Sequence, residues 1–205
     1  MSLSVRLPHS PRAYAGMSIA LLALAIAFNT VLTRSMALHM LVHIPLILFA
    51  GICADVALCS SQGTRSEFWK RGARAWAQYN EQGIPGLLWG TLFAAYWMIP
   101  KSLDDVLLIP ILALVKYAGL FFTGMVLFDS LRRANSVVKL FFLGNFSWMM
   151  AIVGLIYQDQ TSRLCNAYLL SDQEMTGKGL VVLAVAVPIV WLLTERSRFL
   201  RLMSK

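Results

Sequence analysis

Residues 36–59 read MALHMLVHIPLILFAGICADVALC. Cysteines aside, the only ionisable side chains in this stretch are His39, His43 and Asp55. A helix needs ~20 apolar residues to cross the ~30 Å hydrocarbon core of a bilayer. This stretch meets that length without a break, so it reads as a transmembrane helix. The same pattern recurs on both sides of it, at 14–33, 84–99, 106–128, 138–157 and 179–194. Six spans are therefore expected. Strand-like alternation is absent, which argues against a barrel. Open strands find no backbone partners in lipid. The expected fold class is all-α: a single-domain, polytopic integral membrane helix bundle covering residues 1–205, with no internal repeat.

Composition agrees with that reading. Of 205 residues, 58% are hydrophobic and 14% charged, against ~25% charged in an average soluble domain. A soluble enzyme and a free nucleic-acid-binding domain are both disfavoured, and so is a disordered chain. The three cysteines, Cys53, Cys59 and Cys165, are too few for a disulfide framework. The first apolar run exceeds the ~7–15 residues of a signal-peptide core, so it reads as a span rather than a cleaved leader.

Sidedness follows from the basic residues. With the N-terminus inside, the inner side holds Arg6, Arg12, Arg65, Lys70, Arg71, Arg74, Arg132, Arg133, Lys139, Arg196, Arg198, Arg201 and Lys205. The outer side holds only Arg34, Lys101, Arg163 and Lys178. Basic residues concentrate on the cytoplasmic side of membrane proteins. This predicts a multi-pass protein with both termini in the cytoplasm. The inner loop at 60–83, SSQGTRSEFWKRGARAWAQYNEQG, mixes Lys and Arg with Phe68, Trp69, Trp76 and Tyr79. It reads as an amphipathic helix lying at the headgroup level.

Polar groups inside a membrane are costly and ask for a reason. Met36, His39, Met40 and His43 follow the i, i+3, i+4, i+7 spacing of one helix face. Two imidazoles and two thioethers thus project from one stripe near the outer end of the second span. Imidazole suits copper, zinc and iron, and thioether sulfur selects copper(I). Three readings of the stripe stand side by side: a metal site, a haem b ligand set, and plain packing between helices. Haem is disfavoured because its axial ligands normally face each other from different helices. The third histidine, His9, lies at the inner end.

Two further polar clusters fall on the outer side. One is Trp97-Met98-Ile99-Pro100-Lys101-Ser102-Leu103-Asp104-Asp105, where Pro100 ends a span and Ser102 or Asp104 is expected to cap the next. The other is Tyr168-Leu169-Leu170-Ser171-Asp172-Gln173-Glu174-Met175-Thr176-Gly177, where Ser171 and Asp172 are expected to cap a helix start. Asp172 there is a candidate acceptor for orienting a ligand imidazole. Lys116 lies within a span and is expected to face the bundle interior. Asp55, near the inner end, is expected to snorkel or pair with an arginine. No phosphate-binding loop, dinucleotide turn, zinc-protease helix or Ser/His/Asp set is present, so no catalytic function is expected.

In order along the chain, HMLVH at 39–43, YWMIPKSLDDVL at 96–107, FFTGMVLFD at 121–129 and DQEMTG at 172–177 resemble the CtaG-like family of cytochrome c oxidase assembly factors, of the caa-type oxidase branch. The resemblance runs from about residue 36 to 194 and marks the chain as a shortened, divergent member. It implies a multi-pass protein of a bacterial inner membrane that assists haem–copper oxidase assembly, by copper delivery or insertion at the outer side. In that pattern His39 and His43 match the family's histidine pair. Pro100 and Asp104 match its turn, and Asp172, Gln173 and Gly177 its last motif. The implied metal residues are His39 and His43, with Met36 and Met40 assisting, and the implied partner is a haem–copper oxidase subunit. Family members carry further histidines after the Pro…Asp turn, where this chain has ALVKYAGLFFTG, with Lys116 and Tyr117. The alternatives are a non-catalytic accessory subunit of a respiratory complex with no metal of its own, and a haem b membrane protein.

Overall fold

The computed structural model describes residues 10–60 and 67–203. Arg6, His9, Arg65 and Lys205 lie outside them, as do the side chains of Phe68, Trp69, Lys70, Arg196, Arg198 and Arg201. Among the described residues all regular structure is helical. Helix α1 (Pro11–Ala27) starts with Pro11 in its first turn and the Ser10 hydroxyl accepting from the Ala13 amide. A single turn, α2 (Asn29–Leu32), follows. Next, α3 (Met36–Leu38) passes through a π-turn at His39–His43 into α4 (Ile44–Ser60) without leaving the helical path. The remaining helices are α5 (Glu67–Tyr79), α6 (Ile84–Trp97), α7 (Pro100–Leu108), α8 (Pro110–Arg133), α9 (Ser136–Asp159) and α10 (Leu170–Met203).

Four of these are long and apolar enough to cross a membrane: Met36–Ser60, Pro110–Arg133, Ser136–Asp159 and Leu170–Glu195. The molecule is a helical membrane bundle. Its outward faces agree: Phe141, Trp148 and Val182 are each at least 65% exposed. Water would punish such a surface, and lipid solvates it. Helices α1 and α6 are shorter, at 17 and 14 residues, or about 25 and 21 Å at 1.5 Å per residue.

Prolines and glycines move several expected boundaries. The segment expected at 106–128 is not one helix. Pro110 holds Ile109 extended, so 106–108 belong to the separate α7 and the long helix starts at Pro110. Ser102 caps neither helix: it lies in the first turn of α7, whose N-cap Ile99 has no side-chain cap, and its hydroxyl donates to the carbonyls of Tyr96 and Ile99. The run expected at 14–33 breaks at Phe28. The last helix begins nine residues before the expected 179, at Leu170. Gly177 and Gly179 sit inside it at two different contacts: a Cβ on Gly177 would strike the Gly154 carbonyl of α9, and one on Gly179 would strike the Leu41 side chain.

Helix α4 packs between α1 and α8, α6 lies on α8, and α9 pairs with α10. The α4–α8 crossing is made by glycine. A Cβ on Gly51 would run into the Phe121 carbonyl, and one on Gly124 into the Leu48 carbonyl. Close backbone approach of this kind is the usual basis of helix association in lipid. Backbone cannot swing aside as a side chain does. Gly124→Val is therefore expected to cost at least the ~1–3 kcal/mol of ordinary overpacking. Size-exclusion of detergent extracts should show loss of the monodisperse peak. Gly144→Ala, at a glycine where an added Cβ would meet nothing within 4 Å, should leave the peak unchanged.

At the end of the bundle that carries Gly83 and Arg133, α5 is tied to α8. The Trp76 indole N–H donates to Asp129 Oδ2 (3.0 Å), and the Asn80 amide donates to Ser130 Oγ (2.9 Å). Arg71 and Arg74 stay exposed, so α5 has the expected amphipathic character. Nearby, the Cys59 thiol donates to Asp55 Oδ2 (3.6 Å) at the same end of α4.

Candidate functional site: a lysine held by two histidines

Both intramembrane histidines sit in the π-turn, and Pro45 supplies the reason for that turn. Proline has no N–H to return to the Leu41 carbonyl, and its ring crowds that oxygen. The helix widens immediately before it, and the Ile44 N–H bonds five residues back to the His39 carbonyl. His39 and His43 then lie on one face with ring centroids 5.5 Å apart and planes tilted by 36°, and both are fully buried.

Their hydrogen-bond partners fix the tautomers. His43 Nε2 lies 3.2 Å from the Ala25 carbonyl, which only accepts, so Nε2 carries the proton. It also meets the Tyr117 hydroxyl at 3.1 Å, which in turn reaches Asn29 Oδ1 at 3.1 Å. His39 Nδ1 lies 2.8 Å from the Tyr168 hydroxyl. That hydroxyl donates to the Thr33 carbonyl (3.3 Å), so it accepts from Nδ1–H. Each ring is left with one lone pair, on His43 Nδ1 and on His39 Nε2.

Both lone pairs face the same atom. Lys116 Nζ is 3.1 Å from His39 Nε2 and 3.5 Å from His43 Nδ1. Lys116 rises from α8 and is 2% exposed. An ammonium has three N–H donors and no acceptor, so two imidazole lone pairs are suitable partners. The Tyr117 ring lies 5.2 Å from the same nitrogen and offers a cation–π face. Helices α1 and α8, the π-turn before α4 and the loop at 160–169 thus meet around the Lys116–His39–His43 cluster.

The other expected site residues hold that loop. Asp104 accepts from the amides of Asn166 (2.6 Å) and Ala167 (3.1 Å), so it is a clamp on the loop and not a cap for α8. Gln173, 2% exposed, accepts from the Leu164 amide and donates to the Tyr157 carbonyl. Together they place Tyr168 over His39. Asp172 sits in the first turn of α10, and the hydroxyl on His39 belongs to Tyr168. Burial, with Cys165, Asp104 and Asp172 nearby, pushes the Tyr168 phenol up, which keeps it a donor. Met36 and Met40 are buried in the hydrophobic core with Ala25, Trp97 and Leu120. Among the described residues, no group of three or more His, Cys, Asp or Glu is placed to hold a metal ion.

Cys165 is part of the same clamp. It is 2% exposed, its thiol donates to the Pro100 carbonyl (3.2 Å), and burial together with Asp104 pushes it up to about 12. The thiolate is the reactive form. In a Cys53→Ser/Cys59→Ser background, the folded protein at pH 7.5 is expected to resist maleimide, and the denatured protein to label fully. Intact-mass spectrometry reads the difference.

No protein-family model, no curated protein and no solved structure matches the chain.

Proposed function

We propose that this chain is a six-span bacterial inner-membrane protein, with both termini cytoplasmic, that handles copper for assembly of a haem–copper oxidase. The six-span topology is supported by the loop charges, which fall on one side only with an even number of spans. On that topology the Lys116–His39–His43 cluster lies at the outer end. One observation carries the copper reading: the lone pairs of His39 Nε2 and His43 Nδ1 converge on one buried point. Imidazole nitrogen is a good ligand for copper, and two such ligands make an exchangeable site rather than a permanent one. Copper is here cargo, and no catalytic step is assigned. Met36 and Met40, on the same stretch of helix, are the thioethers nearest in sequence to assist transfer. Tyr168 and the Ala25 carbonyl hold the two rings in the tautomers that aim lone pairs inward. The implied partner is the oxidase subunit that receives the metal, with the lipid bilayer as solvent and no nucleic acid involved.

Metal content of purified protein reconstituted with copper(I) tests this. The comparison is wild type against His39→Leu/His43→Leu/Lys116→Met, which removes the polar cluster as a unit. Copper retained by wild type and lost in the triple variant is the expected result. Copper in neither would defeat the reading.

One observation favours a second reading, a non-catalytic accessory subunit without metal. Both imidazoles are already satisfied by the Lys116 ammonium, so the cluster serves as a polar tie between helices with no ion at all. Co-purification with an oxidase at fixed ratio, without copper, would support it. Nothing in the geometry favours haem, since both imidazoles rise from one helical turn and aim at one point on a lysine.

A further inference from the structure

We propose that Lys116 is a tethered stand-in for the cargo: its ammonium occupies the copper position in the metal-free protein and must be displaced for copper to enter. This rests on the copper reading above and adds how the site is regulated. The first support is geometric. The two nitrogens left free for a metal are the two that Lys116 Nζ meets, at 3.1 and 3.5 Å. A copper ion bound between them and an ammonium in the same place exclude each other by volume and by like charge.

The second support is what an empty site would otherwise be. Without the lysine, two buried imidazole acceptors would have no donor, in a region water does not reach. Unmade hydrogen bonds of buried groups are expensive. A carrier has to remain folded both loaded and empty. The ammonium satisfies the empty state.

The third support is the choice of residue. Lysine is a point charge on a flexible four-carbon stem, so it can withdraw without moving its helix. The Tyr117 ring, 5.2 Å from Nζ, offers the displaced ammonium a face nearby. A resident competitor also weakens apparent affinity in proportion to the fraction of sites it blocks. Weak retention suits a protein that gives its metal away.

The test is an anaerobic competition titration of copper(I) against a chromophoric chelator, on detergent-purified wild type, Lys116→Met, Lys116→Arg and the His39→Leu/His43→Leu/Lys116→Met variant. Size-exclusion profiles establish that each is folded. The expected result is binding at least about 10-fold tighter in Lys116→Met than in wild type. Lys116→Arg keeps the charge and should bind no tighter than wild type, and the triple variant should not bind. Equal affinities in wild type and Lys116→Met would overturn the stand-in role while leaving the copper site intact. Weaker binding in Lys116→Met would also overturn it, and would make Lys116 a ligand through its neutral amine. Absence of copper from wild type and Lys116→Met alike would remove the copper reading and this proposal with it.

Discussion

Replacing both histidines, as His39→Leu/His43→Leu, should destabilise the bundle far more than replacing them together with the lysine they hold. Lys116 is 2% exposed, and its hydrogen-bonding partners are the two imidazoles. Leucine in both positions leaves an ammonium among apolar side chains. Stripping the partners from a buried charge costs about 3–5 kcal/mol, well above the loss of one neutral hydrogen bond. Lys116→Met leaves two neutral acceptors without a donor instead, at about 1–3 kcal/mol each. Combining all three substitutions removes charge and acceptors together and should recover most of the loss. Thermal unfolding in detergent, followed by tryptophan fluorescence, gives the order: wild type, then the triple variant close behind, then Lys116→Met and the double histidine variant, both well below. A triple variant as unstable as the double would mean that the histidines act through packing and not through the lysine.

The reason this cluster is only half visible in the sequence is physical. The histidine stripe is local, and four-residue spacing on an apolar helix shows it directly. A lysine inside a span announces that it needs a partner, but not which one. Lys116 lies 77 residues from His39, and the contact depends on how α8 crosses α4. That crossing is set by Gly51 and Gly124, and small residues in a span carry little signal of which neighbour they face. One inference is nonetheless open to a reader of the sequence: a lysine well inside one apolar span and two histidines inside another are natural partners. Tyr117 follows from Lys116 by adjacency. Tyr168 opens the polar cluster before the last span, but nothing in the sequence marks it as the partner of His39.

Span existence is legible and span ends are less so. Apolar runs identify α4, α8, α9 and α10 because lipid imposes length and composition on them. Pro110 is readable as a boundary, yet the apolar stretch from Val106 onward masks it, since hydropathy does not register a missing N–H. The start of α10 is hidden in the opposite way. Residues 170–178 are polar enough to resemble a loop, while Asp172 in the first turn and buried Gln173 mark a helix that begins outside the apolar run. The π-turn needs the combination of Pro45 and a helix that does not break, and sequence shows only the first. A motif points to Asp104 and Gln173, but their shared role in clamping the 160–169 loop emerges only from the packed structure.

Asp104→Ala should release that clamp and expose Cys165. The carboxylate accepts from Asn166 N at 2.6 Å and Ala167 N at 3.1 Å, and hydrogen bonds to a charged acceptor contribute about 1.5–3 kcal/mol each. The loop has no regular structure of its own, so these bonds are much of what orders it. Gln173 remains, tying Leu164 to the Tyr157 carbonyl, which keeps the effect local rather than global. Local opening raises the exposed fraction of the thiol. In the Cys53→Ser/Cys59→Ser background, maleimide should label Cys165 at least about 10-fold faster in Asp104→Ala than in the parent, since about 1.4 kcal/mol of lost restraint is already a factor of ten. Asp104→Asn retains an acceptor oxygen and should fall between. Opening the loop also withdraws the Tyr168 hydroxyl from His39 Nδ1, and that ring then loses the contact that fixes its tautomer. The same variant should therefore weaken copper retention without touching either imidazole. Fast labelling with unchanged copper would separate the clamp from the site. Slow labelling would show that Gln173 and the Pro100 carbonyl hold the loop unaided.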